Sequence, residues 1–131
     1  RNHRLALYDG ILIKDNHIAA VGGAGAAVAR ARERGSRHLR IRCEVESLAQ
    51  AREALDAGAD SLLVDNQPPE VIARIVELCA GRARVEASGG VNLETVGAIA
   101  RTGVDEISVG ALTHSAPAAD VALEWIAASK A

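Results

Sequence analysis

The feature that most restricts the fold of this chain is a strict alternation of short apolar runs with longer amphipathic stretches. Five short apolar runs are each followed by a stretch in which apolar residues recur at helical spacing, and no linker or low-complexity segment interrupts the series. Successive strands joined by a helix pair in parallel, because the helix returns the chain to the end of the sheet at which the first strand began. The alternation therefore predicts an α/β fold built on a parallel sheet.

Apolar spacing, together with residues that typically begin or end helices, predicts the bounds of these elements. Ser47 is a favourable helix N-cap, Pro68-Pro69 suits a first helical turn, and Gly58 suits a helix end. The predicted strands are residues 7–14, 39–44, 61–64, 85–87 and 106–109. The predicted helices run from about 17 to 34, from 48 to 58, from the proline pair through Cys79, from Asn92 to Gly103, and from Asp120 to about Lys130.

Two arrangements satisfy this alternation, an open doubly wound sheet and part of a closed (β/α) barrel. The residues that follow the predicted strands decide between them: Lys14, Glu44, Asp65, Ser88 and Gly110. From Glu44 onward these residues are 21 to 23 positions apart, which is one strand–helix unit. The carboxyl ends of all barrel strands meet at one mouth, whereas in an open sheet only strands near the switch point share a site. Functional residue types at all five strand ends therefore favour the barrel.

Glycine-containing loops follow two of these strands and are candidates for binding phosphate. Ser88-Gly89-Gly90 and Val109-Gly110-Ala111 each lead from a strand toward a helix, where glycine lets backbone N–H groups approach an anion. The alternative is a pair of tight turns. A third run, Gly22-Gly23-Ala24-Gly25, lies in or beside the first predicted helix rather than directly after a strand, so it resembles a dinucleotide fingerprint only loosely.

Charged residues at the same strand ends supply the remaining candidate chemistry. Glu44 and Asp65 suit binding of Mg²⁺, binding of sugar hydroxyls, or stabilisation of a positive sugar carbon; the alternative is a carboxylate satisfied by loop N–H groups. Lys14 suits anion binding or charge stabilisation, or else a salt bridge to a neighbouring carboxylate. His114 is placed to reach a phosphate or to cap its loop. His3-Arg4 offers donors for carboxylates, although terminal residues are commonly exposed.

Composition excludes several other classes of protein. The net charge of −2 excludes a strongly basic nucleic-acid binder, and the longest apolar runs are far too short to span a bilayer. Cys43 and Cys79 lack metal-ligand spacing, which predicts free thiols in a reducing compartment. No export leader precedes the first strand, and the start at Arg1 suggests a fragment. We therefore expect a cytoplasmic protein that has neither nucleic acid nor membrane as a partner.

Long strings around these positions resemble the quinolinate phosphoribosyltransferase family. The strings are NHR at 2–4, LYDGILIKDNHI at 7–18, CEVES at 43–47, GADSLLVDNQPPE at 58–70, EASGGVNLETV at 86–96 and GVDEISVGALTHSAP at 103–117. They occur in the family's order and spacing across nearly the whole chain. Such long matched strings argue against a different phosphate-binding barrel enzyme, such as a sugar-phosphate isomerase.

The resemblance implies a fold and a reaction. Family members carry an N-terminal α/β domain and an incomplete seven-stranded barrel, so residues 1–131 are expected to be the C-terminal portion of the barrel domain. The implied reaction converts quinolinate and phosphoribosyl pyrophosphate into nicotinate mononucleotide, pyrophosphate and CO₂, with Mg²⁺, in NAD biosynthesis. A homodimer or higher homo-oligomer is implied for the full-length protein.

The resemblance also implies roles for individual residues. By position in the family's motifs, the part of the site that binds quinolinate and pyrophosphate is implied to contain His3, Arg4 and Lys14. Glu44 and Asp65 are implied to bind the ribose and the metal. These two residues and Lys14 are the implied catalytic residues. The residues implied to bind the 5′-phosphate are Ser88, Gly89, Gly90, Val109, Gly110 and Ala111, with His114 close by. The family's upstream cationic segment is absent from this chain, so we expect the isolated chain to be inactive; a non-catalytic assembly module remains the alternative.

Overall fold

The computed structural model describes residues 6–123, in which five parallel strands alternate with helices. The sheet order is β1-β2-β3-β4-β5, and each strand pairs in parallel with the next. The elements are β1 (Gly10–Ile13), α1 (Asp15–Val21), α2 (Ala24–Arg34), β2 (Arg40–Val45), α3 (Leu48–Asp56), β3 (Ser61–Asp65), α4 (Pro69–Cys79), β4 (Arg84–Ser88), α5 (Val96–Ala100), β5 (Glu106–Ile107) and α6 (Ala111–His114). The predicted α/β fold is confirmed. A strand order without reversal matches the wall of a barrel, because a doubly wound sheet needs a switch point.

One face of the sheet is apolar and packs against the helices. Ile41, Cys43 and Val45 alternate along β2 and are fully buried in one core with Ala51 of α3 and Ile75 of α4. Burial raises the pKa of the Cys43 thiol to about 11, and both cysteines are free, as predicted. The small Ala and Val side chains allow the helices to lie close to the strands.

The opposite face of the sheet carries charged side chains. Arg42 of β2 forms ion pairs with Glu86 of β4 and Glu106 of β5, and Arg84 lies 2.9 Å from Glu106. Ser108 donates a hydrogen bond to the second carboxylate oxygen of Glu86, which is 4% exposed. A carboxylate this buried is stable only when such partners replace its water, so the five side chains hold β2, β4 and β5 together.

The predicted first helix is two helices, which is a correction to the sequence analysis. Gly22 ends α1 in the left-handed region at φ +86°, and α2 begins after Gly23. The carboxylate of Glu53 in α3 accepts a hydrogen bond from the backbone N–H of Ala24 at 3.1 Å. A Cβ on Gly25 would lie 3.2 Å from the Glu53 carbonyl oxygen. The glycine run therefore serves the close packing of α2 on α3, and a protein carboxylate already occupies the start of α2.

Several other helix bounds agree with the predicted ones. The Ser47 hydroxyl accepts a hydrogen bond from the backbone N–H of Gln50 at 3.2 Å, which confirms the N-cap. Asn92 and Thr95 exchange side-chain to backbone hydrogen bonds as expected, but α5 begins only at Val96 and ends at Ala100, so the predicted helix from Asn92 to Gly103 was too long at both ends. Local hydrogen bonds of this kind need only residues close in sequence, which is why they were predictable. No helix within residues 6–123 is long and apolar enough to cross a membrane.

Both ends of the described chain differ from the predictions. β1 begins at Gly10 rather than Leu7, because Gly10 lies opposite Arg40, where its neighbour β2 begins; Leu7 is 86% exposed. β5 contains only Glu106 and Ile107, where residues 106–109 were predicted. The short helix α6 was not predicted. Residues 120–123 are exposed and not helical, contrary to the predicted start at Asp120; the rest of that predicted helix lies outside the described residues.

We expect Glu86→Ala to lower the free energy of unfolding by about 3 kcal/mol, because it removes the acceptor of the Ser108 hydroxyl and the most buried ion-pair partner of the Arg42 guanidinium. The matched control is Arg82→Ala, which breaks an ion pair with Asp56 whose side chains are 52% and 63% exposed. Arg82→Ala should lower the free energy of unfolding by less than about 1 kcal/mol. Urea unfolding of both variants measures the difference, and equal losses would refute the structural role of Glu86.

Candidate active site

The carboxyl ends of the central strands bring two predicted site residues to one rim of the sheet. Asp65 at the end of β3 lies directly opposite Ser88 at the end of β4. Glu44 lies one layer lower, opposite Leu63 on β3. Because side chains alternate across a strand, Glu44 and Asp65 both point away from the helix-packed face, which holds Val45 and Val64. Both carboxylates are only partly buried and so remain accessible from the rim.

The electrostatics of Glu44 show that its charged neighbours are close. Partial burial and then the negative charge of Asp65 raise the pKa of the Glu44 carboxyl, with smaller upward contributions from Asp15 and Glu46. The positive charge of Lys14 acts in the opposite direction. Within residues 6–123 no ion-pair partner lies within 4 Å of Glu44. Two carboxylates and one ammonium therefore share this rim without neutralising one another in a closed salt bridge.

Lys14 is held by the start of α1. Its backbone N–H donates to Nδ1 of His17 at 3.0 Å, and its carbonyl oxygen accepts the backbone N–H of His17 at 2.9 Å. This reciprocal pair fixes the backbone of Lys14 while its side chain is exposed. His17, which the sequence analysis did not place in the site, thus orients the turn that carries Lys14.

A groove of about 250 Å³ opens beside Glu44. Its walls come from α1, α3 and the end of β2, namely Asp15, Ile18, Ala19, Glu44, Glu46 and Gln50. A cavity of about 370 Å³ lies at the opposite end of β3, β4 and β5, lined in part by Asp60, Arg84 and Asp105. We place the site at the rim beside the smaller groove, because the candidate residues lie at the carboxyl ends of the strands, although only Glu44 among them lines the groove itself.

The loop after β4 has the backbone conformation that requires glycine. Gly89 and Gly90 both lie in the left-handed region, at φ +85° and +61°. Within residues 6–123 their backbone N–H groups donate to no protein acceptor. The N–H groups of Glu94 and Thr95, in the turn that leads into α5, are different, because the side chain of Asn92 accepts from both. The donors of Gly89 and Gly90 are therefore free, whereas those of Glu94 and Thr95 are already used.

The side chain of a histidine lies against the loop that follows β5. A Cβ on Gly110 would lie 2.9 Å from Nε2 of His114, so the imidazole lies against this glycine. Nδ1 of His114 is 2.8 Å from the Ser115 hydroxyl oxygen. Val109 is half-buried, whereas Gly110 and Ala111 are exposed. The structure thus places His114 on the predicted loop.

Asn66 is a residue of this rim that the sequence analysis missed. It follows Asp65, adopts the left-handed region at φ +50°, and donates its backbone N–H to the Ser88 carbonyl oxygen at 2.8 Å. Asparagine is one of the few residues other than glycine that enters this region readily, which is the signal that sequence offered. Two other predicted residues, His3 and Arg4, lie outside the described part of the chain.

The donor set at the rim suits a hard cation only in part. Carboxylate oxygens are the ligands that Mg²⁺ prefers, and Glu44 and Asp65 supply them. Within residues 6–123 no group of three or more His, Cys, Asp or Glu side chains is arranged to hold a metal ion. A divalent ion here would need further ligands from water or from a phosphorylated substrate, as Mg²⁺ commonly takes.

Comparison with known proteins gives matches over most of the chain. The family model described as quinolinate phosphoribosyl transferase, C-terminal domain, matches residues 1–124. The chain is 45% identical over 123 residues to a probable nicotinate-nucleotide pyrophosphorylase (carboxylating) of Bacillus subtilis, covering 94% of this chain and 43% of that protein. It is 38% identical over 129 residues to the human nicotinate-nucleotide pyrophosphorylase (carboxylating), covering 96% and 43%.

Solved structures agree with the fold. The nicotinate-nucleotide pyrophosphorylase from Francisella tularensis superimposes with a TM-score of 0.79 at 40% identity, covering 86% of this chain and 40% of that one. NadC from Streptococcus pyogenes gives a TM-score of 0.77 at 45% identity, covering 87% and 40%. The chain therefore spans about two fifths of the length of these proteins.

We expect Glu44→Gln to raise the free energy of unfolding at about pH 7. Burial and the charge of Asp65 raise the pKa of Glu44 in the folded state, so the folded state binds the proton more tightly than the unfolded state. Stability is consequently lost as pH rises through the range above the ordinary value of 4.5, and the neutral amide avoids that loss.

Urea unfolding at a series of pH values measures this effect. The advantage of Glu44→Gln should disappear below about pH 4, where the carboxyl is protonated in both states. Glu77→Gln, at an exposed position on α4, serves as the matched control and should show little change. A Glu44→Gln variant that is less stable at neutral pH would contradict the expectation.

Proposed function

This chain belongs to the quinolinate phosphoribosyl transferase family, and on that premise we propose that the protein containing it transfers a phosphoribosyl group to quinolinate. Quinolinate displaces pyrophosphate from phosphoribosyl pyrophosphate, and the adduct then loses CO₂ to give nicotinate mononucleotide. The observation that carries the proposal is the placement of Lys14, Glu44 and Asp65 at the rim that also carries the Ser88–Gly90 loop.

The two glycine loops are proposed to hold the 5′-phosphate of the phosphoribosyl group. Gly89 and Gly90 offer backbone N–H groups that have no protein acceptor within the described residues, and such groups are good donors to phosphate oxygens. The loop Val109-Gly110-Ala111, with His114 lying on Gly110, is proposed to contact the same phosphate from the neighbouring strand end. Because the strands are parallel neighbours, both loops are at the same rim.

Glu44 and Asp65 are proposed to act on the ribose. As pyrophosphate leaves, positive charge develops on the anomeric carbon, and two carboxylates beside it lower the energy of that state. The same oxygens are suited to bind ribose hydroxyls and to hold Mg²⁺, directly or through water. When bound, Mg²⁺ neutralises charge on the pyrophosphate group.

Lys14 is proposed to bind the anionic groups of quinolinate and pyrophosphate, together with His3 and Arg4 from the part of the chain outside the described residues. Transfer forms a bond between the quinolinate nitrogen and the anomeric carbon, and it breaks the bond from that carbon to pyrophosphate. The pyridinium ring then accepts the electron pair left when the carboxylate departs as CO₂, and the ring carbon takes a proton from solvent. Fixed cations are needed because the substrate is a dianion.

We also propose where this chain lies in the full-length protein, how that protein assembles and in which compartment it works. The chain is assigned to the C-terminal portion of the barrel domain, and within residues 6–123 β1 and β5 are the edge strands of the sheet, at which further strands would continue the barrel. The full-length protein is proposed to be a homodimer or higher homo-oligomer. Cys43 and Cys79, free and buried, are compatible with a reducing cytoplasm.

Asp65→Asn in the full-length protein should lower kcat about 100-fold or more, because the amide removes the negative charge that stabilises the developing cation. The shape of the side chain is kept, so the fold and Tm should change little. Formation of nicotinate mononucleotide from quinolinate, phosphoribosyl pyrophosphate and Mg²⁺ measures the effect. Asp56→Asn, on the exposed side of α3, is the control, and wild-type turnover in Asp65→Asn would remove Asp65 from the mechanism.

Residues 1–131 alone are expected not to turn over quinolinate. The family's upstream cationic residues are not part of this chain, and losing a desolvated cation that faces a carboxylate costs roughly 2–5 kcal/mol. The same product assay, run on residues 1–131 beside the full-length protein, tests this expectation. Turnover within about tenfold of the full-length protein would show that residues 1–131 contain the whole active site.

A further inference from the structure

The loops that follow β3 and β4 approach each other closely where Asn66 lies against Gly89. A Cβ on Gly89 would lie 2.7 Å from the backbone nitrogen of Asn66 and 2.9 Å from its Cα and Cβ. The neighbouring backbone hydrogen bond, from the Asn66 N–H to the Ser88 carbonyl oxygen, is 2.8 Å long. Gly89 thus needs glycine for two separate reasons, its φ of +85° and the approach of Asn66.

The backbone of Asn66 is in a conformation that few side chains tolerate. Within residues 6–123 only Asn66, at φ +50°, and Ala80, at φ +46°, are non-glycine residues with positive φ. Ala80 lies at the end of α4, where helices commonly finish in this conformation. Asn66 instead lies inside a turn that is also closed by Gln67, whose side chain donates to the Asp65 carbonyl oxygen at 3.2 Å. Departures of this kind often mark a constrained functional segment.

We infer that Asn66 is a positioning residue whose left-handed backbone holds the carboxylate of Asp65 at a set distance from the Ser88–Gly90 loop. The inference rests on the proposed function, in which Asp65 serves the ribose and the glycine loop serves the 5′-phosphate of the same substrate. One substrate of limited length spans both groups, so their separation controls how well it binds and reacts. Asn66 acts through these neighbours and need not touch the substrate itself.

The test compares two substitutions at Asn66 in the full-length protein. Asn66→Val places a β-branched side chain where the left-handed region is strongly disfavoured, whereas Asn66→Gly permits that region freely. We expect Asn66→Val to raise KM for phosphoribosyl pyrophosphate and to lower kcat/KM about 10- to 100-fold. Asn66→Gly should keep kcat/KM within about threefold of wild type, because the backbone conformation of residue 66 matters more than its side-chain amide.

Ala80→Val supplies the matched control for strain alone. It imposes the same backbone conflict at the end of α4, away from the rim, so it should lower Tm comparably and leave KM for phosphoribosyl pyrophosphate unchanged. If Asn66→Val does not fold, Asn66→Ala provides a milder conflict with the same expected direction.

The outcomes separate this inference from the proposed function. An active wild type with unchanged KM and kcat in Asn66→Val would overturn the positioning role and leave the proposed function standing. Equal losses in Asn66→Val and Asn66→Gly would also overturn it, because the backbone would then not be the cause. A wild-type full-length protein that forms no nicotinate mononucleotide would overturn the proposed function, and the role of Asn66 with it.

Discussion

Parallel pairing of neighbouring strands in chain order is the constraint on which the rest of the structure depends. Because every strand points the same way, the residue after each strand arrives at the same rim, and helices return the chain to the other end. The register then sets the heights of the side chains, placing Asp65 opposite Ser88 and Glu44 one layer below. The rim is therefore a product of backbone hydrogen bonding, and its chemistry depends on which residues end the strands.

On the face of the sheet below the rim, three glutamates at the same height have different roles. Glu44, Glu86 and Glu106 lie at the same height by register. Glu86 and Glu106 are paired with Arg42, whereas Glu44 has no ion-pair partner among the described residues and has a raised pKa. Paired carboxylates brace the strands, while an unpaired, partly buried carboxylate retains unused acceptor capacity. The absence of an ion pair distinguishes the candidate site from the structural network beneath it.

Predictions from sequence succeeded where the cause was local. The Ser47 cap, the glycine conformation at Gly89, and the strand-end positions of Glu44 and Asp65 depend on periodicity and on neighbours within a few residues. The missed features depend on distant partners. The break between α1 and α2 involves the carboxylate of Glu53 in α3, about thirty residues away. No local sequence pattern could have predicted this break.

By itself the sequence determined the α/β class, the order of the strands and helices, the family and the identity of the residues at each strand end. These follow from periodicity, from local capping and from long matched strings. Only the tertiary structure decided which groups meet: the ion pair of Arg42 with Glu86, the hydrogen bond from the Ala24 N–H to Glu53, and the contact of Asn66 with Gly89. Such contacts join residues about 20 or more positions apart, and their distances are set by strand register and loop conformation, which no single stretch of sequence contains.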